Sequence, residues 1–553
     1  MTEPLHPAAV YLLGALLVAV APRRARVGLL LLVPAAALLL GLLPLEGRAI
    51  GPHFLGQEVV PFRADRLSLV FGTIFLIMGL LGSVFALHVR ERGPHVAAFA
   101  YVGSALGVVF AGDLLTLFVF WELMAVASTF LIFQRRTPRA LAAGFRYLMV
   151  HAFGGACLLA GILLHAAAGA GLAFEAMPLT GPTALILLGF AVNAAVPPLS
   201  AWLTDAYPEG TVTGSVFLSA FTTKSAVYAL ARGFPGEEVL IWAGAVMTLY
   251  GVVFAVLQND IRRLLAYHIV SQVGYMVTGV GLGVGLGVSG AAAHAFSHIL
   301  YKGLLFMAAG SVLHVTGRSR LTELGGLARG MPATLVLYTV GAFSISGVPL
   351  FNGFVSKSLV VAAAEEAHRA PVEWMLILAA VGTFLSVGLK LPFFAFFGPD
   401  GGIRGREPPW NMLLAMGATA LLCVGYGVAP GLLYRMLPFP VAYEPYTAHH
   451  VVTTVQLLLG TGVGFALLVR YLGGERKVTL DTDWFYRRGG RLLLGLCRAW
   501  AAASTRGTAA LLRGGGRLGA SAGFGSDGAG RTLPVGYWVV ISVGLLGLLI
   551  LIL

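Results

Sequence analysis

The sequence predicts an all-α membrane protein that crosses the bilayer about 14–16 times, and both its composition and its apolar runs indicate this class. Of the 553 residues, 58% are hydrophobic and only 11% are charged, and the mean hydropathy is +0.86. Soluble domains average about 25% charged residues, so a soluble fold is excluded. A transmembrane β-barrel would show short segments of alternating polarity instead, and none are visible.

The apolar runs follow one another along the whole chain and are mostly long enough to cross a bilayer as helices. They lie near residues 8–21, 27–45, 68–88, 94–112, 113–134, 146–170, 181–202, 210–231, 239–257, 264–287, 289–315, 333–364, 375–398, 411–433, 451–472 and 536–553. They predict N-terminal transmembrane helices (1–93), a core (94–400), C-terminal transmembrane helices (401–474), a basic segment (475–535) and a final transmembrane helix (536–553).

Two of these runs contain strong helix breakers. The stretch SISGVPLFNGFVSK includes Gly347, Pro349 and Gly353, and the stretch NAAVPPLSAW places Pro197 and Pro198 close to Asn193. Broken helices at membrane depth expose backbone groups that only protein or water can satisfy. One break in each half of a chain is the pattern of transporters built from two inverted repeats.

The arginines indicate how the chain is oriented. The net charge of +13 comes mostly from arginines in short loops, which favours a topological role over nucleic-acid binding. Those on one side are Arg90, Arg92, Arg135, Arg136, Arg139, Arg262, Arg263, Arg318, Arg320 and Arg329. The exceptions are Arg48, Arg63 and Arg66. The pattern predicts both termini on the outer side, with the first run kept as a helix rather than cleaved as a signal peptide.

The basic segment at 475–535 differs from the rest of the chain. Its first part combines arginines with an apolar stripe, and its second part is rich in glycine. We expect an amphipathic helix along the inner membrane face, followed by a flexible linker. A disordered basic loop is the open alternative.

No motif for a cofactor or for independent catalysis is visible. The three cysteines, Cys157, Cys423 and Cys497, are far apart and form no CxxC motif. There is no Walker-type loop, metal-ligand cluster or nucleophile constellation. We therefore expect no cofactor, and a transporter component rather than an enzyme.

Several ionisable side chains lie well inside apolar runs, and they are the candidate functional residues: Glu122, Lys224, His268, His294, His298, Lys302 and Lys390. Such groups are costly in lipid and normally face a protein interior or a water-filled cavity. Three further charged residues lie near helix ends or breaks and are interpreted as structural: Asp113, Asp205 and Lys357.

The strongest pattern is HAFSHILYKGLL, in which His294, His298 and Lys302 follow one another at intervals of four. This spacing puts all three on one face of a helix, where each could pass a proton to the next through water. Histidine binds and releases protons near neutral pH, and a buried lysine responds to neighbouring charges. Hydrogen-bonding core histidines, a snorkelling Lys302 and a packing role for Glu122 remain open.

The blocks that carry these residues resemble one known family. The blocks, in chain order, are FVFWELMAVAS, WLTDAYPEGTV, QNDIRRLLAYHIVSQVGYM, HAFSHILYKGLLFMAAGSV and GVPLFNGFVSK. They are similar to the antiporter-like family that Mrp-type cation/proton antiporters share with respiratory complex I. The resemblance covers about residues 68–400 and is nearest to the D-type subunits of the Mrp antiporters.

The resemblance implies two inverted five-helix repeats, each with a broken helix, joined by a polar axis at mid-membrane. It assigns Glu122 to the glutamate of the first half, Lys224 to the lysine that follows it, and Lys390 to the terminal lysine of the second half. It assigns the central relay to His294, His298 and Lys302.

One position departs from the family pattern. Asn193 stands where the family usually carries a lysine that pairs with the glutamate, and an amide cannot be protonated near neutral pH. Either Lys224 becomes the partner of Glu122, or the first half does not move protons in the usual way.

The function implied by the resemblance is proton translocation by one membrane subunit of a multi-subunit antiporter for Na⁺ or another monovalent cation. Its expected partners are other membrane subunits in a bacterial or archaeal inner or plasma membrane. A pumping subunit of a redox-driven or carbon-uptake complex is the alternative, and a non-pumping scaffold subunit is the third possibility.

Overall fold

A computed structural model describes residues 6–473 except 42–46, 50, 52, 55–56, 284, 400 and 404, together with isolated positions from 481 to 499. Three helices precede the core, namely α1 (Pro7–Val20), α2 (Arg23–Gly41) and α3 (Arg66–Phe85). The loop between α2 and α3 holds two short antiparallel ribbons, β1 (Gly47–Ala49) with β4 (Phe62–Ala64) and β2 (His53–Phe54) with β3 (Gln57–Glu58).

The first half of the core consists of five helical passages. Three are continuous helices, α4 (Arg92–Phe110), α5 (Leu114–Phe133) and α6 (Pro138–Ala167). The other two are interrupted, and they comprise α7 (Gly181–Asn193) with α8 (Ala201–Ala206), and α9 (Val212–Ala220) with α10 (Thr222–Gly233).

The second half repeats this arrangement. Its continuous helices are α11 (Glu238–Leu257), α12 (Ile261–Gly281) and α13 (Leu286–Thr316). The interrupted fourth passage comprises α14 (Pro332–Ser346) and α15 (Asn352–Glu366). The fifth passage begins as α16 (Ala370–Thr383) and continues through π-helical turns at Phe384–Lys390 and Phe393–Phe397.

The two halves are inverted because each contains an odd number of passages, so the second starts on the opposite side of the membrane. In each half the fourth passage is broken, and both breaks lie at the predicted proline and glycine stretches. The interruption between Ala220 and Thr222 was not predicted, since no proline or glycine lies there. The predicted pair of broken inverted repeats is confirmed, with one additional break.

The passages after the core lie at its periphery. They are α17 (Trp410–Val428), the short α18 (Pro430–Tyr434) and α19 (Ala448–Leu472). Along α19 only Thr461 and Phe465 are buried, whereas most of α13 is buried. A membrane protein needs no polar exterior, so the exposed leucines and valines of α19 are suited to contact with lipid.

The count of crossings agrees with the sequence. Ten of the described helices are long and apolar enough to cross a membrane, and α1, α7 and α14 are shorter apolar helices. If each interrupted pair is taken as one passage, the described residues contain about 15 passages. The protein is therefore a multi-pass α-helical membrane protein.

The chain divides into two compact units after Asp483. They comprise Met1–Asp483 and Trp484–Leu553. In the first unit, the carboxylate of Asp481 accepts hydrogen bonds from the hydroxyls of Tyr250 on α11 and Tyr267 on α12. In the second unit, the positions described between 484 and 499 are helical. The predicted linker and the final helix at 536–553 lie outside the described residues.

One ion pair joins the start of α3 to the end of α10. Arg232 donates to both carboxylate oxygens of Asp65, over 2.8 and 2.7 Å, and Asp65 also accepts from the backbone of Ser68 to cap α3. Burial acts to raise the pKa of Asp65, but the hydrogen bonds and charge of Arg232 outweigh it and lower the pKa to about 2.

We expect Asp65→Asn to lower the thermal unfolding midpoint in detergent by several degrees at pH 7. Hydrogen bonds between charged groups contribute about 1.5–3 kcal/mol, and the partial exposure of Asp65 favours the lower end. The folded pKa is depressed, so the difference from wild type is fully present above about pH 4 and disappears as the pH falls toward 2. Glu175→Gln is the control, since its exposed carboxylate lies 3.6 Å from Arg63. Equal midpoints for both variants would contradict the assignment.

Candidate functional site

The column predicted on α13 lies at the centre of the protein. His294, His298 and Lys302 are each fully buried. Lys302 is near the middle of α13, a helix about 45 Å long, so its amine is too far from either end to snorkel. Small residues permit this burial, since Gly290 lies against α15 and Gly303 lies against Met78 on α3.

The column is linked through a tyrosine. The two histidine rings are 6.4 Å apart, and the Tyr301 ring lies 6.2 Å from His294 and 5.2 Å from His298. The Tyr301 hydroxyl is 3.4 Å from Nε2 of His294 and donates to Gln272 over 3.3 Å. Both ring nitrogens of His298 lack a hydrogen-bond partner within the described structure. Buried polar atoms of this kind are normally satisfied by ordered water.

One contact connects the column to α12, and a second connects α12 to the passage that begins as α16. Lys302 donates through Nζ to the carbonyl oxygen of Leu265 over 3.3 Å. One turn further along α12, Nε2 of His268 lies 2.6 Å from the hydroxyl of Ser386, which is in the π-helical turn after α16. The structure therefore places His268 close enough to Lys302, the last residue of the column, for their charges to interact.

Lys357 belongs to the same polar region, although its position near the break suggested a structural role from the sequence. Its Nζ donates over 2.6 Å to the carbonyl oxygen of Ile345, in the last turn of α14, and lies 5.2 Å from the ring centre of Tyr275. The adjacent Ser356 hydroxyl is 3.0 Å from Nδ1 of His294. The available sequence signal was a lysine well inside an apolar run, immediately after a break.

A cavity of about 420 Å³ leads from Lys357 toward one end of the second half. It is bounded by α12, by the α14–α15 break, by α16 and by α19. Tyr275, Lys357 and Ser358 line its deep part, and residues at the helix ends line the other part: Glu365, Glu373, His449 and His450. This cavity provides space for water next to a buried lysine.

Lys224 lies at the interruption in the first half. The fifth passage stops at Ala220 and resumes at Thr222, and Lys224 is fully buried in the first turn of α10. Its Nζ donates to the carbonyl oxygen of Ser219 over 2.7 Å and to the hydroxyl of Thr223 over 3.0 Å. His298 is close enough to Lys224 of the first half and to Lys302 of the second half to interact with both charges.

Glu122 is not paired with Lys224 in the described structure. Its Oε1 is buried beside Gly155 on α6 and has no hydrogen-bond partner among the described residues. The glycine provides the space that the carboxylate occupies, since a Cβ there would lie 1.9 Å from Oε1. The ion pair that the sequence left open is therefore absent between these two side chains.

Asn193 contacts a histidine that was not among the candidates from the sequence. Asn193 is the last residue of α7, and its Oδ1 lies 2.7 Å from Nδ1 of His151 on α6. Both side chains are buried. The His151 ring lies 4.1 Å from the Tyr147 ring and 4.5 Å from Trp202. A single histidine inside an apolar run is the only signal in the sequence, and it resembles an ordinary core residue.

A row of hydroxyls continues from His151 toward Lys224. The Tyr147 hydroxyl lies 2.8 Å from Ser128 and 3.5 Å from the hydroxyl of Thr222, the first residue of α10. The Tyr101 hydroxyl is 2.6 Å from the same threonine oxygen. Polar groups therefore follow one another from the break after α7 to the start of α10.

Lys390 lies apart from the column. Its Nζ donates to the carbonyl oxygens of Val256 over 2.5 Å and Gln258 over 3.1 Å, at the C-terminal end of α11. Cations at this end of a helix satisfy free carbonyls and interact favourably with the helix dipole. Its connection to the column is indirect, through Ser386 in the same π-helical turn and His268.

The charged residues interpreted as structural, other than Lys357, make local contacts. Asp113 caps α5 by accepting from the backbone and hydroxyl of Thr116, over 2.8 and 2.6 Å. Asp205 on α8 accepts two hydrogen bonds from Arg146 on α6, over 2.6 and 3.0 Å. Among the described residues, no group of three or more His, Cys, Asp or Glu side chains is placed to hold a metal ion.

Comparison with known proteins agrees with this arrangement. The family model described as "NADH:quinone oxidoreductase/Mrp antiporter, TM" matches residues 111–386. The chain is 30% identical over 374 residues to the D subunit of the Na(+)/H(+) antiporter of Alkalihalophilus pseudofirmus, covering 62% of this chain and 76% of that protein. It is similar to a chain in the Mrp complex of Dietzia sp. DQ12-45-1b, with a TM-score of 0.72 and 25% identity, covering 83% of this chain and 100% of that one.

A longer relative extends well beyond this chain. The A/B subunit of the probable K(+)/H(+) antiporter of Rhizobium meliloti is 32% identical over 399 residues, which cover 66% of this chain but only 40% of that protein. The chain therefore spans less than half of that relative. The inverted helical core, the family match and these similarities show that the chain belongs to the NADH:quinone oxidoreductase/Mrp antiporter transmembrane family.

Proposed function

We propose that this protein is the proton-translocating membrane subunit of a multi-subunit antiporter that exchanges protons for Na⁺ or another monovalent cation. The observation that carries the proposal is the set of buried ionisable side chains that lie near one another across both halves. It runs from Lys224 through His298 and Lys302, with His294 and Lys357 on the other side of the column. Ionisable groups inside a membrane protein mark proton and ion pathways by default.

The geometry supports proton transfer by short steps. Histidines carry a proton on either ring nitrogen, and Tyr301 and Gln272 supply hydrogen-bonding groups between them. Positive charges that lie close together repel one another. The arrival of a proton on one residue therefore favours the release of another proton from the neighbouring residue. The partnerless ring nitrogens of His298, within the described structure, support a bridging water between the halves.

The cation and the partners are inferred from relatives. The named relatives are antiporters for potassium and for sodium, so we propose a monovalent cation and not one particular ion. The Dietzia chain comes from a multi-subunit Mrp complex, which favours other membrane subunits as partners here. The sources of these relatives favour a bacterial or archaeal plasma membrane. The arginines in the loops favour both termini on the outer side.

A second function is favoured by the family match itself, since the family also includes NADH:quinone oxidoreductase subunits. In that role the same column would pump protons for a redox-driven or carbon-uptake complex. Purification with native partners separates the two. Flavin and iron–sulfur proteins, or a zinc-binding subunit, would favour pumping, whereas small membrane subunits would favour the antiporter. A scaffold that does not pump would show neither proton flux nor dependence on the column.

The proton pathway predicts that neutral substitutions in the column stop transport. In the complete complex reconstituted in vesicles, a sodium or potassium gradient should drive proton flux in the wild type. We expect His298→Gln and Lys224→Ala to reduce this flux at least about tenfold, because each removes a proton-binding group. His314→Gln is the matched control, since His314 is on the same helix but exposed at its end. Unchanged flux in both pathway variants would count against the proposal.

The cavity beside Lys357 predicts selective access for water. In a variant without the natural cysteines, we expect Ser358→Cys to react with a charged methanethiosulfonate reagent added on the outer side. Ser358 lines the cavity, whereas Ser225 is fully buried beside Lys224 and does not. Ser225→Cys should therefore stay protected. If Ser358→Cys reacted only with reagent added on the inner side, the cavity would open to the inner side, contrary to the proposed orientation.

A further inference from the structure

The first half contains several buried polar atoms that no residue of the described structure satisfies, and three of them belong to the neighbouring helices α5, α6 and α7. They are Oε1 of Glu122 on α5, Nε2 of His151 on α6 and Nδ2 of Asn193 at the end of α7. Native proteins leave few buried polar atoms unpaired, and water commonly satisfies them. This group therefore points to a hydrated pocket beside the break after α7.

His151 is held in one orientation inside this pocket. The Oδ1 of Asn193 accepts from Nδ1, which leaves Nε2 as the basic nitrogen of the neutral ring. Tyr147 and Trp202 contact the ring, and Trp202 is itself fixed by donating to the carbonyl oxygen of Val192 over 2.9 Å. A fixed ring with one free basic nitrogen is ready to accept a proton.

His151 also lies between the two ionisable residues of the first half. Gly155, which makes room for the Glu122 carboxylate, is one turn beyond His151 on the same side of α6, about 6 Å along the axis. In the other direction, Tyr147 leads to Thr222, and Lys224 donates to the neighbouring Thr223. On the carboxylate side, Oε1 of Glu122 and Nε2 of His151 both lack a partner within the described structure, so water is the group that would join them.

We propose that His151 carries protons between Glu122 and Lys224, binding each proton at Nε2 while Asn193 holds Nδ1. The proposal rests on the proposed function, and it adds a third protonatable group to the first half, on α6 between Glu122 and Lys224. On arrival a proton moves from the Glu122 side through water to Nε2 and forms the imidazolium. On departure it leaves Nε2 toward the hydroxyls that lead to Lys224, and the neutral ring is restored.

The test compares His151→Gln with substitutions that restore an amine in the same pocket. In the reconstituted complex we expect His151→Gln to lower proton flux at least about tenfold, because an amide can hydrogen-bond but cannot carry a proton. Adding Asn193→Lys should recover most of the flux, since the new amine would occupy the space beside His151. His165→Gln is the control on the same helix, in its last turn, and should retain full flux.

Each outcome decides the assignment. Yield, thermal midpoint and copurification with partners must match wild type, so that lost flux reports transport and not folding. Full flux in His151→Gln would overturn the proposal while leaving the proposed function intact.

The double variant tests the carriage of the proton itself. If Asn193→Lys is active alone and the double variant shows no recovery, His151 is a positioning residue and the proposal is overturned. If Asn193→Lys alone is inactive, His151→Lys replaces it: flux supports proton carriage, and no flux overturns it. Absence of flux in wild type would instead reject the proposed function.

Discussion

The buried lysines of the membrane core are held by backbone carbonyl oxygens, and the rest of the site depends on this interaction. It applies to Lys224, Lys302, Lys357 and Lys390. Within the described part of the chain none of the four forms a salt bridge. A carboxylate would lock the ammonium in its charged form, whereas a neutral carbonyl stabilises it without cancelling its charge. The lysines can therefore lose a proton without leaving an orphaned anion in the membrane.

The broken helices supply part of this arrangement. The last carbonyls of a helix have no partner inside it, and in lipid each would be costly. Ser219 and Ile345 lie in the last turns of α9 and α14, and their carbonyls accept from Lys224 and Lys357. The free carbonyl at each helix interruption and the amine of the buried lysine thus satisfy each other's hydrogen bonding. The two lysines belong to non-equivalent passages, since Lys224 is on the fifth passage of the first half and Lys357 is on the fourth passage of the second half.

The sequence predicted the class, the inverted halves and two of the interruptions because each has a strong local cause. Proline and glycine remove helix propensity wherever they stand, and the spacing of four in HAFSHILYK fixes one helical face. The third interruption, at Phe221, has no such residue, so its cause is tertiary packing.

The candidate site was less predictable, because a pattern along one chain does not reveal contacts between elements. Lys357 was set aside for its closeness to a break, which is the reason it reaches Ile345 and the cavity. His151 has the sequence pattern of an ordinary core residue, and only its contact with Asn193 distinguishes it. Lys390 appeared deep in its run, yet its amine meets the end of α11. The roles of all these residues in proton transfer remain predictions.

The π-helical turn between Phe384 and Lys390 changes the hydrogen-bond register of the fifth passage of the second half. It holds two residues directed at different neighbours, since Ser386 meets His268 on α12 and Lys390 meets carbonyls of α11. If this turn tightened to the ordinary helical hydrogen-bond pattern, everything beyond it would rotate by about 100°. The hydrogen bonds from Lys390 to α11 and the hydrogen bond between Ser386 and His268 on α12 cannot both persist after such a rotation. A single shift of hydrogen bonding would therefore detach the fifth passage from α11 or from α12.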